Sequence, residues 1–432
     1  MDLQACSHDL MDTVIYKFGG ASVRSASAVR NLAKLVSDWR GDRLIIVISA
    51  MGKTTNALED VLSHWYNGAV ENAVDRWRSV LHFHQNILEE LFSEKENSED
   101  LRWEMQHHDR YVLNILSSER QGYNADYDRI IPVGELLSTR IVSAYLNAVG
   151  TKNSWVDIRQ SLVTDGRHRE AHILWSPAED RMQRFFKHRG CYVTQGFIGA
   201  DENGTTTTLG REGSDYSAAA LAYCLRASRL IVWKDVTGIF NGDPRVFSFA
   251  EQLDELSFDE AIELAYFGAT VIHPRTIQPL KKRNIPLEVR SFAHRQAKGT
   301  LIHAEVSKNS PGLPCYIQKK EQVLIRLSTR DLSFMAEHHL GSIYRSMHAH
   351  LARVNFSSHS AISANFALNA DEQHKTGLFP ELEESFDCTY SNGLTLYTIR
   401  HPDEQAIKKI TEGKEVILSQ HGPNTYQVLL RE

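Results

Sequence analysis

Four stretches of this chain carry residue types able to do chemistry together. Lys17-Phe-Gly-Gly-Ala-Ser22 puts a lysine at the end of a β-branched and aromatic run, just ahead of a glycine turn. Glycines there let backbone N–H groups approach a phosphate, and the lysine adds a point charge. Ser49-Ala-Met-Gly-Lys-Thr-Thr-Asn56 is a hydroxyl-rich loop at the carboxyl end of an apolar run, where open α/β sheets bind ligands. Its Gly52-Lys53-Thr54 looks like the end of a P-loop, but Val47 stands where that motif needs its first glycine, which rejects the motif. Thr205 through Gly210-Arg-Glu-Gly-Ser-Asp215 joins hydroxyls, glycines and a helix start into an anion nest, with Arg211 able to grip a carboxylate bidentately. Asp215 beside such an anion makes electrostatic sense if it orients a cation or a lysine. Trp233-Lys-Asp-Val-Thr-Gly-Ile-Phe-Asn-Gly-Asp-Pro-Arg245 is a strand end followed by two turns, able to wrap a nucleotide.

Elements that could position these groups follow from periodicity. Val14–Phe18 and Leu44–Ile48 predict strands, the second apolar on both faces and hence buried. Val29, Leu32, Ala33 and Val36 predict a helix between them, and helical spacing resumes at Leu58 and runs to about Ser117, broken by a polar loop at 93–100. Ile130–Val133 predicts a strand and Glu135–Ala148 a helix; Cys191–Ile198, Arg229–Trp233 and Leu287–Arg290 predict further strands. A helix over Ser217–Ala227 is expected to be capped by Gly213-Ser214-Asp215. Strand and helix in alternation point to a mostly parallel sheet with helices on its faces.

Past residue 300 the rhythm changes. Lys308–Pro314 is the best linker candidate, and after it come two compact rounds of strand, helix and strand, with strands predicted over Val323–Leu327 and Leu394–Ile399 and a helix over Asp371–Ser385 among them. They suggest a separate regulatory or dimerisation region. A length of 432 residues suggests two or three folding units. The composition, 42% hydrophobic and 24% charged, excludes wholesale disorder. Leu44–Met51, the longest apolar block, is too short to span a bilayer, and a net charge of -6 argues against a nucleic-acid surface. Five scattered cysteines and an amino terminus without a signal pattern make the cytoplasm the expected compartment. The histidines do not predict a metal site: His82 and His84 diverge on a helix, as do the adjacent pairs His107-His108 and His338-His339.

Taken in order, Lys17–Ser22, Pro132-Val-Gly-Glu-Leu-Leu-Ser-Thr139, the Thr206–Asp215 run, Asp235 through Asp243-Pro-Arg245 and Phe267-Gly-Ala-Thr-Val-Ile-His-Pro274 resemble aspartate kinase. The resemblance covers residues 14–303, and the tail resembles that family's pair of ACT domains. It implies a three-layer αβα amino-acid-kinase domain over 13–305, a linker over 306–320 and an α+β ACT pair over 321–432. It also implies phosphorylation of the side-chain carboxylate of L-aspartate by ATP with Mg2+, the metal held mainly by the phosphates. Lys17 would stabilise the transferring phosphoryl group and Asp215 would organise the lysine or the metal-bound phosphates. Gly19, Gly20 and Ser22 would line the phosphates. Glu135 and Arg211 would hold the amino and carboxylate ends of aspartate, with Thr55 and Ser214 as hydroxyl partners. Lys234, Asp235, Phe240, Asp243 and Arg245 would surround adenosine and ribose, with Thr270 and Val271 also on the nucleotide side. A homodimer through the ACT sheets and an amino-acid effector there are implied as well.

Two departures from the family pattern stand out. Many relatives carry lysine where this chain has Thr270, and Lys53 or Lys234 is expected to offset that loss electrostatically. The ATP KM of Thr270→Lys checks this; an unchanged value removes Thr270 from the account. Ser328–Ala336 and Val354–Ser363 lie where relatives bind an amino-acid effector, and within the second Asn355 replaces an acidic residue common in lysine-sensitive relatives, so which amino acid acts there is left to experiment. Other kinases of the same fold, and a non-catalytic amino-acid sensor, remain the competing readings. A fused homoserine dehydrogenase is not expected, the chain ending at Glu432.

Overall fold

Two apolar strands set the centre of the first sheet. The structure, a computed structural model, describes residues 11–92, 98–269, 272–306, 312–331, 333–370 and 377–432. It divides into two compact units. The first comprises the chain up to Ile239, Leu253–Ala261 and Ile272–Val306; the second comprises Phe240–Gln252, Ile262–Val271 and Ser307–Glu432.

In the first unit β1 (Thr13–Phe18) leads through a one-turn 3-10 segment to α1 (Ala26–Ser37), β2 (Arg43–Ile48), α2 (Thr54–Tyr66), α3 (Val70–Leu91), α4 (Glu99–Leu116), α5 (Tyr123–Ile130) and α6 (Val133–Ala148). Then follow β3 (Ser154–Val156), α7 (Trp175–Phe185), β4 (Gly190–Gln195), β5 (Ile198–Ala200), β6 (Thr206–Thr208), α8 (Gly213–Cys224), β7 (Arg229–Lys234) and β8 (Glu255–Ser257). α9 (Phe258–Phe267), α10 (Pro274–Arg283), β9 (Leu287–Ser291) and β10 (Thr300–His303) complete it, α9 running on into the second unit. The main sheet has the order β3-β4-β2-β1-β7-β9-β10-β8. All its pairs are parallel except β9 with β10. All six residues of β2 are buried, as a strand covered on both faces requires. From β1 the chain moves first to β2 on one side and only later to β7 on the other. The carboxyl ends of β1 and β7 therefore flank a topological switch point, the crevice where open α/β sheets bind ligands.

Three expectations need correction here. Ile130–Val133 is not a strand; it is the junction between α5 and α6, with Ile130, Ile131 and Val133 buried in place. So short an apolar run has no period to separate the two states, and α5 is held at its start by Asp126, which accepts from the Tyr66 hydroxyl and the Gln121 amide. Cys191–Ile198 is two strands, β4 and β5. The helix predicted over Ser217–Ala227 begins at Gly213, with Glu212 in the left-handed region (φ 52°) as its N-cap. Packing decides that turn: a Cβ on Gly213 would lie 2.6 Å from the Phe197 ring, and Ser217 bonds both the Gly213 carbonyl and the Phe197 amide. The polar loop at 93–100 lies partly outside the described residues, and α4 already starts at Glu99.

The second unit contains β11 (Cys315–Thr329), α11 (Glu337–Ala349), β12 (Val354–His359), β13 (Ser363–Asn369), α12 (Leu378–Ser385), β14 (Phe386–Arg400), α13 (Glu404–Thr411), β15 (Glu415–Gly422) and β16 (Thr425–Arg431). The two rounds of strand and helix share one antiparallel sheet, β12-β13-β11-β14-β16-β15. Val323–Leu327 and Leu394–Ile399, predicted as short strands, are parts of β11 and β14, each 15 residues long. These pair along most of their length and irregularly between Lys319 and Leu324. One half of the sheet buries Val323, Ile325 and Phe366 under Ile343 and Met347 of α11; the other buries Tyr397, Ile399 and Val428 under Ala406 and Ile410 of α13. Residues 307–311 of the expected linker and 371–376 of the helix predicted from Asp371 lie outside the described residues; residues 315–320 of the expected linker belong to β11, and Leu378–Ser385 of the predicted helix is α12.

Candidate active site

At the switch point the first unit has a cavity of about 950 Å3, lined by Lys17, Thr55, Glu135, Arg211, Ser214, Asp215 and Lys234 among others. Parallel pairing dictates part of this set. Lys17 of β1 is in register with Val232 of β7, and Phe18 with Trp233, so Phe18 and Trp233 share one face of the sheet. Their rings stack there, with centroids 6.0 Å apart. Side chains alternate along a strand, so Lys17, Val232 and Lys234 share the other face.

Asp215, in the first turn of α8, meets both lysines. Its Oδ1 lies 2.5 Å from the Lys17 ammonium and its Oδ2 lies 3.5 Å from that of Lys234. Burial works to raise the Asp215 pKa, but Lys17 first and Lys234 second outweigh it and hold the group below the usual carboxylate range. The same helix N-terminus favours negative charge, whether carboxylate or phosphate.

Glu135 behaves in the opposite way. It stands on α6, which approaches the β2 loop closely because Gly134 has no side chain: a Cβ there would be 3.0 Å from Thr54 and 3.1 Å from Ala50. The Ser138 hydroxyl donates to the Ser49 carbonyl and fixes the contact. Glu135 Oε1 accepts from the Ala50 amide at 3.3 Å, while Oε2 is buried and has no partner among the described residues. Burial pushes its pKa up to about 8. A carboxylate so placed calls for a cation that none of the described residues brings.

The glycine turn after β1 is built as a backbone cradle. Gly20 accepts from the Gly52 amide at 2.9 Å, and a Cβ at Gly20 would fall 2.7 Å from the Ala50 carbonyl oxygen and 2.8 Å from that of Gly52. Gly20→Ala must therefore push one loop off the other and is expected to cost about 2 kcal/mol, read as a lowered unfolding midpoint in denaturant. Ser22 is buried in this turn, its amide donating to the Gly19 carbonyl.

The chain matches the model of the amino acid kinase family over residues 12–291. It is 31% identical over 427 residues to the lysine-sensitive aspartokinase 3 of Escherichia coli, covering 94% of this chain and 90% of that one. The chain belongs to the aspartokinases. A bifunctional aspartokinase/homoserine dehydrogenase of Daucus carota is 33% identical over 311 residues, but the chain spans only about a third of its length. Among solved structures, E. coli aspartokinase III with lysine and aspartate superposes with a TM-score of 0.80 at 27% identity, covering 97% of this chain and 96% of that chain. The same enzyme with aspartate and ADP gives a TM-score of 0.76.

Within this aspartokinase, Lys17, Thr55, Glu135, Arg211, Ser214, Asp215 and Lys234 come together around one cavity. Gly19, Gly20 and Ser22 form the adjacent turn, and Asp235 is exposed just beyond β7. Phe240, Asp243 and Arg245 belong to the second unit, where Asp243 is gripped bidentately by Arg245. Thr270 and Val271 lie outside the described residues. Sequence reasoning missed one wall of the aspartokinase cavity, which includes Tyr127, His168 and Arg169. Buried Asp128 anchors it, accepting from the Arg169 amide and the Thr208 hydroxyl and bonding His168 Nδ1. These groups are far apart in sequence and follow no motif spacing. The nearest signal was the pair of aspartates around Tyr127.

Proposed function

We propose that the chain transfers the γ-phosphoryl group of MgATP to the side-chain carboxylate of L-aspartate, giving 4-phospho-L-aspartate, the entry step of lysine, threonine and methionine synthesis. The observation that carries this reading is Glu135 Oε2, buried and without a partner among the described residues in the cavity that holds the Lys17–Asp215 pair. An amino-acid ammonium supplies the missing cation. Arg211 and Ser214 then take the α-carboxylate, with Thr55 as a further hydroxyl, and the side-chain carboxylate is left to face Lys17.

The acceptor is ionised at neutral pH and needs no general base. The barrier is the approach of an anion to a polyanion, so rate comes from positioning and charge neutralisation. Lys17 stabilises the charge on the transferring phosphoryl group, and Asp215 holds that lysine in place. The Gly19–Ser22 turn presents backbone to the phosphates. Asp235, Phe240, Asp243, Arg245, Thr270 and Val271 are assigned to the nucleoside side. Mg2+ enters with ATP, held mainly by its phosphates, because the Asp215 carboxylate is already shared between two ammonium groups.

The same reading takes 13–305 as the catalytic region, 306–320 as the linker and 321–432 as a regulatory ACT pair that pairs two chains and binds an amino-acid effector. Asn355 in that region accepts from Lys319 and donates towards Gln322 and Asn369, so its polar atoms are engaged within the chain. No helix of the described residues is long and apolar enough to cross a membrane, and the reading places the protein in the cytoplasm. The test is an acyl-phosphate assay with hydroxylamine trapping, run on aspartate, glutamate and acetylglutamate, with ADP release measured for a nucleoside monophosphate. Hydroxamate from aspartate alone is expected; none from aspartate would leave the amino-acid sensor. Lysine, threonine and methionine added singly test the effector, and a rate unchanged by all three removes it.

A further inference from the structure

We infer that Lys234 is a second catalytic cation, acting beside Lys17 on the transferring phosphoryl group, and not a contact to adenosine or ribose. The inference rests on the phosphotransfer reading above and gives one residue a more specific place in it. Lys234 is the last residue of β7, adjacent to β1, and the register puts its side chain on the same face as that of Lys17. Both ammonium groups lean on one buried carboxylate, one on each oxygen of Asp215, and both line the same cavity.

Charge counting then decides the role. A lone Lys17–Asp215 pair is neutral and offers little to a developing phosphoryl anion. Two ammonium groups share the Asp215 carboxylate, beside the N-terminus of α8, where a helix also favours an anion. Asp215 reconciles the two cations while the site is empty. When the phosphates arrive, each ammonium has an anion on either side. Lys53, the other lysine expected to offset Thr270, is exposed at the N-cap of α2 and is not among the cavity-lining residues.

A Lys234 that only neutralised Asp215 would look much the same at rest, so the test must separate the two roles. Lys234→Met and Lys234→Gln are made in the full chain, and binding of a non-hydrolysable MgATP analogue is compared with that of MgADP by calorimetry. The expected result is an affinity for the ATP analogue about 10-fold weaker, with that for ADP changed less than about twofold, because only the triphosphate reaches Lys234. In turnover, kcat is expected to fall about 100-fold with the aspartate KM within about twofold. Equal losses for both nucleotides, or no loss for either, would overturn the inference and leave Lys234 a structural counter-ion. The binding comparison needs no acceptor. A wild type that binds as described but makes no hydroxamate from aspartate therefore removes the acceptor reading and leaves this one standing.

Discussion

Lys17→Met is expected to lower kcat by about 1,000-fold while the aspartate KM changes little, because the lost charge acts on the transferring phosphoryl group and not on the bound amino acid. The substitution also strips a buried carboxylate of the partner 2.5 Å away. Lys234, at 3.5 Å, remains as a cationic neighbour. Breaking one side of a buried pair costs about 3 kcal/mol. Activity loss could thus be mistaken for partial unfolding, and the double variant Lys17→Met with Asp215→Asn separates the two. Removing the carboxylate together with the lysine is expected to return most of the lost stability in urea melts, while kcat stays as low as in the single variant. Recovery of kcat in the double variant would show that Lys17 matters for stability and not for phosphoryl transfer.

Glu135→Gln is expected to lower kcat/KM for aspartate by about 100-fold at pH 8, through KM, and to make the protein more stable at that pH. The two effects share one cause. Burial pushes the Glu135 carboxyl up from its usual 4.5 to about 8 in the folded protein. Between these values the folded state holds a proton that the unfolded state has released. The stability linked to this group is therefore complete below pH 4.5 and declines as the pH rises towards 8. Glutamine cannot ionise, so its melting temperature is expected to fall less than that of the wild type between pH 5 and pH 8, measured by calorimetry across the range. Substrate binding runs the other way. An ammonium ion needs the ionised form, so the wild-type aspartate KM is expected to fall about tenfold per pH unit below pH 8 and to level above it. In Glu135→Gln that dependence disappears. A pH-independent KM in the wild type would sink the assignment of Glu135 to the amino group.

Stability given up at an empty site and recovered on binding is a common feature of functional residues. In the proposed reaction this is the reason for assigning Glu135 to the acceptor side. Asp215, equally buried but paired, shows the contrast: two cations hold it ionised, so it is prepared to organise charge and not to receive a ligand's ammonium.

The legible part of this protein was the part written in short contiguous patterns. Val14–Phe18 and Leu44–Ile48 declare themselves as strands because their burial is local, every residue being apolar or at a strand end. Lys17, Gly19 and Gly20 are readable for the same reason: the turn, the lysine and the phosphate cradle lie within one short segment. Arg211, Ser214 and Asp215 sit on one loop into one helix and are equally visible. The junction at Ile130–Val133 was misread because an apolar run of that length fits a strand or a helix end equally well, and only the packing of α5 through Asp126 and Tyr66 chooses.

By itself, then, the sequence determined the family, the alternation of strand and helix, and the residue types at the cavity, since these depend on neighbours along the chain. Tertiary structure alone decided which charges meet. The register of β1 with β7 turns Lys17 and Lys234 to one face, and α8 drops Asp215 between them. The close approach of α6 at Gly134 buries Glu135 and leaves one oxygen without a partner. The wall around Asp128 is assembled from three separated segments. The two tail rounds are merged into one sheet by strands more than twice the expected length. Each of these is a distance between residues remote in sequence, and electrostatic and hydrogen-bond energies depend on such distances and on local burial, neither of which composition or spacing encodes.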